Sequence, residues 1–441
     1  MQFLNQVQTV YKKLTWTWNP GSEKEAGDAI VKNVLLHAFP NKVSKGSLSW
    51  KYSMYLGTIS FVLFLILVVT GVVLMFLYVP SVERAYSSVK DIEFVVSFGW
   101  LLRSMHRISA HLMVAVVFLH MVRVFLTGAY KNGKSVGSNR PLNWIIGIGL
   151  LLMTLLLSFT GYLLPWDQLA YWAITVGTNI ASSAPVVGEK IRFFLLGGNF
   201  IDQNALIRFY VLHVFFLPMV VVFLFVWHMW RIRKDGGLAV VDQEALAQKP
   251  EKVIPVKSKT YSLLGITNGT SVHVQTIMVN EEENSVSSIP NLTRRLWLVT
   301  LGTTLATIIL SILFRAPLEA AANPAVTPNP AKAPWYFLWL QEIVTISTIP
   351  LGFVTINGAL IGGIILPTVM IALAVWWPYR DPSGLQSVGK WFAPERKKQN
   401  RIFVTVCLFI IIFTIVGTFL RGPYWNFYFP WESWPTMPVK Y

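Results

Sequence analysis

The apolar positions of this chain lie in unbroken runs rather than in amphipathic stripes, and the polar positions collect between the runs. About 20 apolar residues are what a helix needs to cross the hydrocarbon of a bilayer. Seven runs come close to or exceed that length, over residues 52–79, 104–128, 142–164, 207–233, 296–313, 351–377 and 402–420. The pattern predicts an all-α polytopic membrane protein with seven transmembrane helices. It divides the chain into a surface segment over 1–51, a four-helix bundle over 52–233, a linker over 234–292 and a three-helix part over 293–441. Within the first segment, Phe3, Leu4, Val7, Val10, Tyr11 and Leu14 share one face beside Lys12 and Lys13, which suits a short helix lying in the interface. His37 reads as a surface residue. The linker carries Glu281-Glu282-Glu283 and the alternating Ser271-Val272-His273-Val274, so it is expected on the cytoplasmic side with some extended structure and with His273 incidental.

Two of the runs carry histidines in a matched arrangement. His106 and His120 are fourteen residues apart, and His213 and His228 are fifteen apart. At a rise of ~1.5 Å and a turn of ~100° per residue, fourteen residues is almost four whole turns, so both imidazoles leave one helix face about 21 Å apart. If the two helices are neighbours running the same way, His106 faces His213 at one depth and His120 faces His228 at the other. Such pairs form good axial sets for haem iron, and ionisable residues inside a membrane are functional by default. One histidine in an apolar helix is ordinarily a hydrogen-bonded core residue; two matched pairs are not explained that way. Glycines keep the same interval: Gly57 and Gly71 in the first run, Gly147 and Gly161 in the third. A porphyrin edge between four helices needs gaps in the flanking helices, and glycine supplies them. Cations for anionic propionates or an anionic quinone intermediate stand at the run ends: Arg103 and Arg107 around the first histidine, Arg123 after the second, and Arg231, Arg233 and Lys234 after His228.

Composition and charge narrow the class further. Hydrophobic residues make up 54% of the 441 positions, too many for a soluble globular chain. The net charge of +16 does not indicate nucleic acid, because the basic residues cluster beside helix ends. With the N-terminus inside, Lys and Arg on the inner segments outnumber those on the outer ones more than two to one, which sets the orientation. No cleavable leader pattern opens the chain, so insertion is expected to rely on the first spanning helix. The single cysteine, Cys407, leaves no disulfide framework or thiolate metal site within the chain; any iron–sulfur cluster belongs to a partner.

The segments RSMHRISAHLMVAVVFLHMVRVFLTG, GYLLPWDQLAYWAITVGTNIASSAPVVG and PWYFLWLQE, with the histidine and glycine spacing, resemble cytochrome b of quinol-oxidising bc-type complexes, in particular cytochrome b6 fused to subunit IV. The resemblance covers most of the chain from about residue 45 to about residue 420. It implies a b6-like dihaem bundle over 52–233 and a subunit-IV-like part over 293–441. It also implies two non-covalent haem b groups, with His106 and His213 holding the outer, lower-potential one and His120 and His228 the inner, higher-potential one. An outer quinol pocket would be walled by Pro165, Trp166, Asp167, Tyr171 and Trp172 together with Trp335 and Tyr336. An inner quinone pocket would lie near His120, His228, Arg233, Lys234 and Asp235. A Rieske iron–sulfur protein, a cytochrome c-type subunit and a homodimeric complex in a bacterial inner membrane are implied as well.

The sequence departs from that family in two places. The usual Pro-Glu-Trp-Tyr is Ala333-Pro334-Trp335-Tyr336 here, so the glutamate that would take a quinol proton is missing. Glu342, about two turns on, is expected to serve instead, since a buried carboxylate can raise its pKa to accept a proton. The cysteine that anchors an extra haem in the b6 branch is replaced by Tyr55, so no thioether-linked third haem is expected. The rival readings are a dihaem anchor subunit of a quinone-reducing dehydrogenase or hydrogenase, which the last three helices disfavour, and a transporter, for which no internal repeat is visible.

Overall fold

The computed structural model describes residues 6–7, 11, 20–32, 40–132, 138–235, 237–238, 285–353 and 355–434. Most of the 3–14 interfacial helix, His37, His273, the acidic run 281–283 and most of the 234–292 linker lie outside the described residues. The chain forms two compact units, one from residues 1–54 and 237–294, the other from 55–236 and 295–441.

In the first unit, α1 (Glu23–Lys32) buries Ala26, Ala29 and Ile30 against Ile289, and β1 (Lys42–Ser44) pairs antiparallel with β2 (Ser285–Ser287). The pairing places extended structure at the end of the linker.

The second unit holds the apolar helices. In chain order they are α2 (Leu56–Leu77), the short α3 (Ala85–Phe94), α4 (Gly99–Leu126), α5 (Arg140–Leu163), the connecting α6 (Gln168–Ser182) and α7 (Gly188–Leu196), and α8 (Gln203–Lys234). Then come α9 (Ser288–Leu313), which enters this unit from the first, α10 (Trp335–Ile346), α11 (Ala359–Arg380) and α12 (Pro394–Leu420). Seven of these helices are long and apolar enough to cross a membrane, in the seven regions expected. The sixth differs at its start. Residues 351–353 and 355–356, expected as helix, lie outside it: Ile349–Pro350 pairs with Thr355–Ile356, and Gly352 between them has a φ of +77° that suits glycine.

Local chemistry sets several helix starts. Asn139 caps α5, accepting from Leu142 N at 3.3 Å, and Pro141 occupies the first turn. Asp167 caps α6, accepting from Ala170 N at 2.9 Å. In α8, residues 212–216 form a π-turn closed by Leu217 N–H to the Leu212 carbonyl, directly before Pro218. A proline within a helix removes one i→i−4 bond and crowds the carbonyl four residues back, and the wider turn relieves that conflict. The same device precedes Pro367 in α11, where residues 359–365 form a π-turn.

Helix α2 packs along α4, α4 against α5, and α5 along α8. Phe61 of α2 stacks on Phe225 of α8 at 4.6 Å, closing a four-helix bundle. Helix α11 lies on α5, and α12 lies on α10.

Candidate functional site

The bundle interior brings the four predicted histidines into two facing pairs. The His106 and His213 ring centroids are 6.2 Å apart with planes at 75°, and those of His120 and His228 are 6.5 Å apart at 77°. Such a separation admits one metal ion between two ring nitrogens at about 2.0 Å each, once the half-ring from nitrogen to centroid is added. Among the described residues no group of three or more His, Cys, Asp or Glu could hold a bare metal ion. A pair of imidazoles offers axial ligands alone, which fits a metal whose equatorial ligands come with it, as in haem.

Each glycine lies against one of these imidazoles. A Cβ on Gly71 would stand 3.1 Å from His106 Cε1, one on Gly57 3.3 Å from His120 Cε1, one on Gly161 2.5 Å from His213 Cε1, and one on Gly147 3.8 Å from His228 Cε1. Backbone approach to the ring is therefore tight at three of the four positions, and looser at Gly147.

Two threonines that sequence reasoning passed over orient one pair. Thr70 Oγ1 donates to the Ile66 carbonyl at 2.6 Å and lies 2.9 Å from His106 Nδ1; Thr160 Oγ1 donates to the Leu156 carbonyl at 2.9 Å and lies 3.2 Å from His213 Nδ1. With its own proton committed to the backbone, each hydroxyl accepts from Nδ1–H, which leaves the free lone pair on Nε2. The visible signal is the repeated Thr-Gly dipeptide at 70–71 and 160–161. The other pair is built differently: among the described residues the Nδ1 atoms of His120 and His228 have no partner that meets hydrogen-bond geometry, with the Asn143 backbone alongside His228.

The π-turn explains the unequal histidine spacing. It holds one residue more than an α-turn, so the fifteen-residue interval from His213 to His228 keeps the phase that fourteen give in α4.

The expected cations separate by surroundings. Arg103 is engaged by Glu93 at 2.8 Å and by the carbonyls of Ala316 and Pro317, which ties α4 to the segment after α9. Arg107 faces the Tyr162 ring at 6.0 Å and lies near Tyr336 and Asp167. Arg123 is buried beside both His120 and His228. Arg231 pairs with Asp235 at 2.6 Å, and Asp235 also accepts from Asn139 N and, through its carbonyl, from Arg140, so it fastens α8 to the start of α5. Lys234 lies 4.9 Å over the Trp230 ring, and both it and Arg233 are exposed.

Near the end bearing His106 and His213, the predicted aromatic wall assembles around α10. Trp335 and Tyr336 meet edge to face at 5.4 Å, and Tyr171 stands against Trp166 and Trp172. Burial pushes the Tyr336 hydroxyl up to about 12, against the opposing effects of a Ser158 hydrogen bond and the Arg107 charge. Asp167 is occupied as a cap and as acceptor for Glu319 N at 3.3 Å. Glu342 is buried with both oxygens engaged by Arg421, at 2.9 Å from Nε to Oε2 and through a closer Nη2 contact, and Trp425 donates to Oε2 at 2.9 Å. A proton acceptor at Glu342 has first to break that pair. A further residue that sequence reasoning missed is His111, which accepts from the Trp335 indole at 3.1 Å and lies 5.9 Å from the Tyr336 ring.

Comparison with known proteins finds a family model described as Cytochrome b/b6/petB that matches residues 41–236. Cytochrome b6 of Porphyra purpurea is 45% identical over 181 residues, covering 41% of this chain and 81% of the relative. Cytochrome b6 of Heliomicrobium gestii is 44% identical over 181 residues, covering 41% and 82%. A solved structure described as a hyperthermophilic respiratory Complex III superposes with a TM-score of 0.65 at 24% identity, over 90% of this chain and 92% of that one, a likeness of fold that extends well beyond residues 41–236.

Proposed function

The chain belongs to the cytochrome b/b6 family of haem b-binding, multi-pass membrane oxidoreductase subunits, and from that membership we propose that it is the dihaem subunit of a bc-type quinol-oxidising complex. The observation that carries the reading is the registration of four glycines against four histidines in two facing pairs. Haem b bound at each pair supplies a one-electron carrier, one toward each membrane surface.

The chain's own residues perform the remaining work. Thr70 and Thr160 hold His106 and His213 in the tautomer that presents Nε2. Arg123 places positive charge beside His120 and His228, and that charge would favour the reduced state of a haem held by the two. Trp335, Tyr336 and Tyr171 wall the outer pocket, where quinol gives one electron to an iron–sulfur partner and releases its protons outside. Arg233 and Lys234, exposed where α8 ends, are the cations for quinone at the inner face. The three additional spans support this reading over a dihaem anchor, since α10, which carries Trp335 and Tyr336, packs on the last of them.

A single-turnover experiment tests it. Quinol oxidised by the assembled complex should divide its two electrons equally between a high-potential acceptor and b-type haem. Delivery of both electrons to haem contradicts the proposal and favours the anchor.

A further inference from the structure

We infer that His111 is the catalytic base that takes the proton of a quinol hydroxyl at the Trp335–Tyr336 wall, an inference that rests on the reading of this chain as a quinol-oxidising subunit. His111 follows His106 by five residues on α4, so it is turned about 140° from the haem-facing line and lies roughly 7.5 Å further along the helix. It faces α10 instead of α8. There the Trp335 indole N–H donates to Nδ1 at 3.1 Å, and the Tyr336 ring stands 5.9 Å away. An imidazole that accepts at Nδ1 is neutral and carries its proton on Nε2. In this state His111 is a base whose lone pair is aimed at the aromatic wall.

The donor that fills the lone pair is a neutral indole on a side chain 41% exposed. A quinol hydroxyl is a donor of the same kind and can take its place. Two of the carboxylates nearby are committed elsewhere, Glu342 to Arg421 and Trp425 and Asp167 to the start of α6 and to Glu319 N, while Glu319, whose charge reaches Tyr162, is exposed. Among the described residues, the other titratable groups facing His111 or its neighbours are Arg107, one turn back on α4, Tyr336 on α10 and Tyr162 on α5. A guanidinium cannot accept a proton and a neutral phenol accepts one poorly, whereas a neutral imidazole offers a ring-nitrogen lone pair that takes one. In the step, the quinol O–H bond breaks and an Nδ1–H bond forms as the indole N–H is released. Imidazolium and a quinol monoanion result, and the Arg107 charge lies close enough to stabilise the anion. Electron removal by the partner's iron–sulfur centre follows and moves no further atom in this step.

The test uses membranes holding the assembled complex, with haem content and quinol turnover followed across pH. Wild-type turnover is expected to rise with pH as neutral imidazole forms. His111→Gln should keep both haems and their potentials, lose about 100-fold in turnover, and lose that rising limb. His111→Glu should recover turnover well above the glutamine variant, with the limb displaced from its wild-type position. A glutamine variant within a few-fold of wild type, or one whose limb is unchanged, overturns the inference. If the glutamine variant does not assemble, the glutamate variant decides alone: a displaced limb supports the role and an unmoved limb refutes it. A wild-type complex that holds both haems and oxidises no quinol overturns the reading beneath the inference as well.

Discussion

At the scale of single residues, the glycines and the buried carboxylate make opposite demands. A methyl group on Gly161 would stand 2.5 Å from the His213 ring, which real Cβ atoms do not tolerate, whereas one on Gly147 would make ordinary contact with His228 at 3.8 Å. Gly161→Ala should therefore reduce bound haem toward half, and Gly147→Ala should leave it unchanged, as measured by a quantitative haem assay on the purified protein. Glu342 is 1% exposed and Arg421 8% exposed. Glu342→Gln leaves a buried guanidinium without its counter-charge, so a loss of about 3–5 kcal/mol in stability is expected. Thermal unfolding checks it; unchanged unfolding together with abolished quinol oxidation would instead return Glu342 to the role of proton acceptor. The four histidines and four glycines were legible because helical phase converts spacing directly into placement. Glu342 was not, because its partner lies 79 residues away and only packing brings the two together.

At the scale of elements, the π-turn of α8 reconciles two helices whose histidines are unequally spaced. Deleting Val214 should let residues 212–216 close as an ordinary α-turn and leave His213 and His228 fourteen apart, with both haems retained. Deleting Val116 from α4, which has no such turn to absorb the change, should swing one imidazole by about 100° and cost one haem. A haem assay on the two deletion variants distinguishes them; equal loss in both would contradict this account of the spacing. The seven spans were readable from apolar run length, while the π-turns before Pro218 and Pro367 were not. Proline announces a perturbed helix, and whether the perturbation becomes a kink, a break or a wider turn is decided by the neighbouring helices. The turn at Gly352 escaped for a related reason: residues 349–356 are as apolar as a span, and only their backbone pairing separates them from α11.

At the scale of the molecule, the bundle is locked to the last two spans by a polar cluster at the end of α4. Asp381 accepts from Tyr130 at 2.5 Å and from Gln399 at 3.1 Å, Lys131 lies 3.5 Å away, and Arg396 reaches both Tyr130 and the Phe125 carbonyl at 2.7 Å. Burial raises the Asp381 carboxyl, but hydrogen bonds from Tyr130 and Ser383 and the Lys131 charge outweigh it and hold the group at about 2. A folded-state value below the unfolded one, about 3.9, means that this stability is fully present above pH ~4 and is lost as pH falls toward 2. Thermal unfolding followed from pH 5 to pH 2 should show the decline in the wild type, and Asp381→Asn should lack it. The central claim concerns the two histidine pairs, and a redox titration of the purified chain with quantified haem tests it most directly. Two b haems per chain with bis-imidazole spectra and separated midpoints are expected, one of them lost in His106→Ala and the other in His120→Ala. One haem, none, or loss of both from either single substitution would contradict two independent sites.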